Sequence, residues 1–150
     1  MSEKFKEMLG DPIVYSGLID IRFSDLDPYG HVNAKHYLDL VATVRLNFLA
    51  NELNAPVEAV TAKGIGFYLA KSTIQYKRSI IGLQRVAVAS HVAEIREGKT
   101  LIIPFTISSD DGHRLFSNGV LEFAIIDLST QRSTLAPPWI IELFFKRKPE

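Results

Sequence analysis

Residues 25–38 read Asp25-Leu26-Asp27-Pro28-Tyr29-Gly30-His31-Val32-Asn33-Ala34-Lys35-His36-Tyr37-Leu38, and the order of the fold turns on them. The first half is dense in turn formers. From Ala34 the period changes. Tyr37, Leu38, Val41, Val44, Phe48 and Leu49 recur at three- and four-residue steps, one face of an amphipathic helix ending near Asn51. Asn33 stands where a side-chain oxygen can cap that helix. Upstream, residues 18–24 alternate loosely and predict a strand that feeds the turn.

Downstream, Asn54-Ala55-Pro56-Val57-Glu58-Ala59-Val60 predicts a short helix with an Asn cap and Pro at its first position. From Phe67 the pattern is that of strands. Tyr68, Ala70, Ser72, Ile74 and Tyr76 fall on one side, opposite Lys71, Thr73, Gln75 and Lys77. Residues 84–95 and 100–108 are the next two strands, joined by a hairpin loop at Arg96-Glu97-Gly98-Lys99, and the last long strand spans 114–127. Pro104 inside the 100–108 strand predicts an edge or a bulge there. After Pro137-Pro138, residues 139–145 predict a final short helix whose end docks on the sheet. One long helix among antiparallel strands is an α+β arrangement in which a curved sheet of about five strands wraps the helix.

The chain has 150 residues, 47% of them hydrophobic, enough for one packed domain over residues 1–150 without covalent staples. It contains no cysteine, which excludes disulfides, thiolate metal sites and cysteine nucleophiles. Seventeen basic residues balance seventeen acidic ones, so there is no basic footprint for nucleic acid. The lead Met1-Ser2-Glu3-Lys4-Phe5-Lys6-Glu7 lacks the apolar core of a signal peptide, and no run approaches the ~18 apolar residues of a spanning helix. A cytoplasmic protein with no membrane partner is the expectation.

The chemistry concentrates at the turn. The first N–H groups of a helix lack partners within it, so the amides of Ala34, Lys35 and His36 form a natural oxyanion site. Asp27 lies shortly before them, and a carboxylate beside amide donors suits the activation of water, or direct attack, at a bound carbonyl. Equally, Asp25 and Asp27 can be turn residues that cap their own backbone.

The stretch from Ile21 to Leu38 resembles the signature of hotdog-fold acyl-CoA thioesterases of the hydroxybenzoyl-CoA thioesterase type, and is similar to the matching stretch of acyl-carrier-protein thioesterases. Tyr68, Tyr76-Lys77-Arg78, Gly82 and Ile126-Asp127 extend the resemblance over nearly the whole chain. It implies a hotdog fold, a homodimer or homotetramer with the site between subunits, and hydrolysis of an acyl-CoA without cofactor. Asp27 matches the family's catalytic carboxylate, nucleophile or general base in different members. Ala34 falls where the helix amide polarises the thioester carbonyl. His31 and Asn33 match the H-V-N part of the motif, His31 as catalyst or turn stabiliser and Asn33 as a cap. Tyr37 packs beside the substrate. Two departures stand out: Ala42 replaces a helix acid of many relatives, and Tyr29 replaces an Asn of the carrier-protein branch. The first keeps open a non-catalytic acyl-thioester binding protein.

CoA phosphates call for cations, and Lys77, Arg78, Arg96 and Lys99 are the candidates. No metal is expected. A calcium loop from Asp25 would need oxygen ligands where Tyr29 and His36 stand, and His31 and His36 lack zinc-ligand spacing. Aromatic residues abound, so the acyl group can be fatty or aromatic.

Overall fold

The computed structural model describes residues 9–147; the Met1–Glu7 lead and Lys148 lie outside them. Five strands form one antiparallel sheet in the order β2–β4–β6–β7–β3: β2 (Tyr15–Asp20), β3 (Ile65–Tyr76), β4 (Arg85–Ser90), β6 (Thr100–Ser109) and β7 (Leu115–Asp127). Short β5 (Glu94–Arg96) adds to β6, and β8 (Arg132–Ser133) to β7. Helix α1 (Tyr37–Asn51) lies against this sheet, and α2 (Val57–Ala62) leads into β3. The curved sheet around one long helix is the hotdog arrangement expected from the sequence.

The helix is held by burial. Tyr37, Leu40, Val41, Val44 and Leu49 are buried on α1 and join Val86, Val88, Leu101, Ile103, Phe105, Leu121, Phe123 and Ile125 of the sheet in one core. Leu40 takes a buried place that the three-four spacing assigned to Leu38, which is only partly buried. The first turn is also tighter than expected. Residues Ala34–His36 form a 3₁₀ turn, and the α-helix proper starts at Tyr37.

Several boundaries move for identifiable reasons. The first strand ends at Asp20 and not Ser24, because the Asp25 carboxylate accepts the Arg22 amide (2.8 Å) and closes a 3₁₀ turn over Phe23–Asp25. The expected 84–95 strand splits into β4 and β5. Three residues, 91–93, face only Ile103 and Pro104 between the pairs Ser90–Phe105 and Glu94–Ile102. That bulge is what admits Pro104, inside a central strand and not at an edge. Pro56 is the N-cap residue of α2, not its first helical residue, and Asn54 sits at φ 51° in the turn that ends α1. The Arg96–Lys99 hairpin forms, with Glu97 and Gly98 both at positive φ.

The largest departure is in β3. Leu69 pairs with Phe123 and Lys71 with Glu122, so Ala70 is an extra residue and the side-chain alternation inverts there. Tyr68 therefore does not share a face with Tyr76. Its hydroxyl meets Gln131, whereas Tyr76 stacks edge-on against Tyr37 of α1, with ring centres 5.0 Å apart. At the C-terminus, α3 (Pro138–Phe144) is followed not by a docked helix end but by β9 (Phe145–Arg147), which pairs with β1 (Leu9–Pro12). Among the described residues no helix is long and apolar enough to cross a membrane.

Candidate active site

The turn from Asp25 to Asn33 is built by its own acidic side chains. Asp25 is buried and faces inward, bound by Arg22 through its amide and its guanidinium (Nη2 to Oδ1 2.9 Å). Burial alone would push the Asp25 carboxyl up. The Arg22 hydrogen bonds and charge outweigh it and hold the carboxyl below its ordinary range. Asp25 also fixes the chain through its carbonyl, which accepts the Asn33 amide at 2.9 Å. It is thus a structural anchor, the turn-capping role that sequence left open for both aspartates.

Asp27 is placed differently. Its Oδ1 accepts the amides of Tyr29 (2.9 Å) and His31 (3.1 Å), and its own amide donates to the His31 carbonyl (2.8 Å). Gly30, at φ 77°, lets the chain reverse in so short a loop. These bonds orient the carboxylate, and among the described residues Oδ2 has no hydrogen-bond partner. One oxygen is committed to the loop and the other faces no donor among the described residues.

Asn33 caps the helix as expected, with Oδ1 accepting the Lys35 amide at 3.1 Å. The Asn33 carbonyl takes the His36 amide at 2.9 Å. Of the three amides expected to be free, only that of Ala34 remains without an acceptor among the described residues. The cap occupies the two following amides and leaves one amide of the turn unpaired among the described residues.

Asp27, His31, Ala34, Tyr37, Lys77 and Arg78 line one open cavity of about 350 Å³, with Val32, Tyr76 and Ser79. An antiparallel bridge between His31 and Ile81 and a bond from the Val32 amide to the Ile80 carbonyl (2.9 Å) draw the two segments together. Tyr37 is buried. Its phenol is pushed up by burial, opposed by a hydrogen bond to the Ile80 backbone, so it remains a neutral packing group. Lys77 and Arg78 are exposed at the mouth, and both their amides donate to the Phe116 carbonyl.

Arg96 and Lys99 are not among the residues lining this cavity. They lie on the β5–β6 hairpin, where Arg96 pairs with Glu122 at 2.7 Å. That partner, brought alongside by β7, was invisible to a reading of local charge. Val32, Tyr76 and Ser79 are the lining residues that local pattern does not assign to the site, and their chain neighbours His31, Lys77 and Arg78 are the available signal.

The profile of the thioesterase-like superfamily matches residues 21–144, which spans both segments of the cavity. The chain belongs to that superfamily. It is 27% identical over 115 residues to the long-chain acyl-CoA thioesterase FadM of Escherichia coli (strain K12), covering 77% of this chain and 85% of that protein. The crystal structure of the probable thioesterase YbaW from Escherichia coli superposes with a TM-score of 0.75 at 25% identity, over 86% of this chain and 95% of that one. The DHNA-CoA thioesterase of Staphylococcus aureus shares the fold, with a TM-score of 0.72 at 20% identity over 81% and 80% of the two chains. This member of the thioesterase-like superfamily is an enzyme of thioester hydrolysis.

Proposed function

We propose that this thioesterase hydrolyses an acyl-CoA in the cytoplasm, with Asp27 as its carboxylate and the Ala34 amide as its oxyanion donor. The observation that carries this is the shared cavity. The oriented Asp27 carboxylate, the unpartnered Ala34 amide and two exposed cations line one space. The thioester carbonyl is held at Ala34, so charge developing on its oxygen meets a fixed dipole. Asp27 Oδ2 takes a proton from water, or attacks the carbonyl carbon itself. Cleavage of the C–S bond then releases the CoA thiolate and, directly or after hydrolysis of an anhydride, the free acid. His31 supports the turn through its backbone, and its imidazole borders the reacting centre. Lys77 and Arg78 at the mouth are matched to the CoA phosphates.

The site is completed by a second copy of the chain. Strand β3 is the last strand on its side of the sheet, and Tyr68, Leu69 and Tyr76 on it are 47%, 47% and 53% exposed. A long, apolar edge strand is a template for strand addition. Antiparallel pairing of two β3 edges would bring Tyr76 of one protomer toward the start of the partner's β3, so the acyl group would lie between subunits.

The test is thiol release from short, medium, long and aromatic acyl-CoAs, run beside the same acyl groups on carrier protein. Turnover of acyl-CoA with little activity on the carrier-protein thioesters is the expected result. Exclusive use of carrier-protein thioesters would overturn the assignment to CoA.

A further inference from the structure

The second half of α1 carries a charge that the Asp27 site does not use. Arg45 lines a cavity of about 130 Å³ whose other walls include Leu49, Val60, Phe67, Leu101 and Phe123, all apolar. Its guanidinium carbon lies 4.5 Å from the centre of the Phe123 ring, within cation–π range. Among the described residues no carboxylate lies within ion-pair distance of it, and nothing accepts a hydrogen bond from it. Nearby, the Tyr15 hydroxyl is buried and also without a partner. Burial pushes the Tyr15 phenol up while the Arg45 charge opposes it, and burial draws the Arg45 guanidinium down. Arginine nonetheless stays protonated in a protein, so the charge persists. Arg45 is half-buried, and a cation partly drawn out of water without a counter-ion is costly, a cost that an anion supplied to it recovers.

The cavity also has an entrance. Leu46 and Val57, which line it from α1 and α2, are 40% and 50% exposed. Within one protomer roughly 17 Å of helix separates Ala34 from Arg45 at 1.5 Å per residue. The proposed β3–β3 pairing, by contrast, brings the start of β3, whose Ile65 and Phe67 line this cavity, toward the partner's Tyr76, and an acyl-chain occupant rests on that pairing.

We propose that this cavity binds a small apolar carboxylate, its oxygens on the Arg45 guanidinium and its hydrocarbon against Phe123, Leu49 and Val60. The planar fork of arginine matches a carboxylate in two hydrogen bonds. An apolar cavity of ~150 Å³ holds benzene, which sets the hydrocarbon at about one ring or a short chain. The carboxylate has two sources, a free acid or the far end of an acyl chain that bears a second carboxyl.

Isothermal titration of the whole protein with hexanoate, with hexan-1-ol as the uncharged control, tests the site. Hexanoate binds the wild type, and Arg45→Met weakens it at least tenfold while leaving hexanol unchanged. Val60→Phe, which fills the cavity, removes both. Arg45→Lys keeps the charge and retains part of the hexanoate affinity, which covers the case in which the Met variant does not fold. Equal hexanoate affinity in wild type and Arg45→Met overturns the proposal, as does absence of hexanoate binding to wild type at tens of millimolar. The source is read from turnover of adipoyl-CoA against hexanoyl-CoA. A selective loss of adipoyl-CoA turnover in Arg45→Met assigns the site to the acyl terminus, and equal turnover of the two with hexanoate binding lost assigns it to a free acid.

Discussion

Gly119 sits in the middle of β7, opposite Ile74 of β3 and Phe105 of β6. A Cβ built there would lie 2.1 Å from the Thr73 carbonyl oxygen and 2.7 Å from the Phe105 ring. Carbon–oxygen contacts between strands settle near ~3.3 Å, so Gly119→Ala must push β3 away by roughly 1.2 Å. The obstruction is backbone on one side and a buried ring on the other, so no rotamer change relieves it. Overpacking costs about 1–3 kcal/mol, and a backbone clash belongs at the upper end, about 3 kcal/mol. At about 2–4 °C per kcal/mol for a domain of this size, the melting temperature should fall by roughly 6–12 °C. Equilibrium urea unfolding should show a lower midpoint with an unchanged slope. The displaced strand β3 carries Tyr76 against Tyr37, so kcat/KM should fall with stability. A loss below about 0.5 kcal/mol would refute the reasoning, because it would mean that β3 and β7 are not held at this separation.

Further outcomes follow from the turn and the edge strand. Asp25→Ala removes a buried carboxylate and its Arg22 bonds and should cost about 2 kcal/mol at neutral pH. The folded carboxyl titrates below the unfolded one, so its stabilisation is complete above about pH 4 and is lost as pH falls through the folded value. Urea unfolding of the two proteins should therefore converge in acid, and a gap independent of pH would contradict this. Asn33→Ala strips the acceptor from the Lys35 amide, with a cost of about 1 kcal/mol and a lower kcat at little changed KM; an unaltered kcat counts against its positioning of Ala34. Leu69→Lys places a charge on the exposed β3 edge and should give monomers by sedimentation together with loss of activity, whereas a fully active monomer would remove the shared site.

What could be read from the chain was what is local. Asp27, His31, Asn33 and Ala34 lie within one turn and its cap, so their spacing alone brings them together, and Tyr37 follows one helical step on. Lys77 and Arg78 reach the same cavity because the His31–Ile81 bridge closes it, and resemblance, not periodicity, pointed to that. What escaped was set by tertiary contact. A single extra residue at Ala70 inverts the side-chain alternation of β3, and a count of alternating residues passes over it. Arg45 looks like one more polar residue on a helix until α2 and β7 close around it. Arg96 looks like a free cation until β7 brings Glu122 beside it.

The central claim is that the Asp27 carboxylate performs the hydrolysis, and Asp27→Asn tests it most directly. The side chain keeps its shape and an oxygen to accept the Tyr29 and His31 amides, so the loop should hold. On the best acyl-CoA substrate, kcat should fall by about a hundredfold or more, with KM and melting temperature near those of the wild type. A variant that folds and turns over at the wild-type rate would contradict the claim and move the chemistry to another residue.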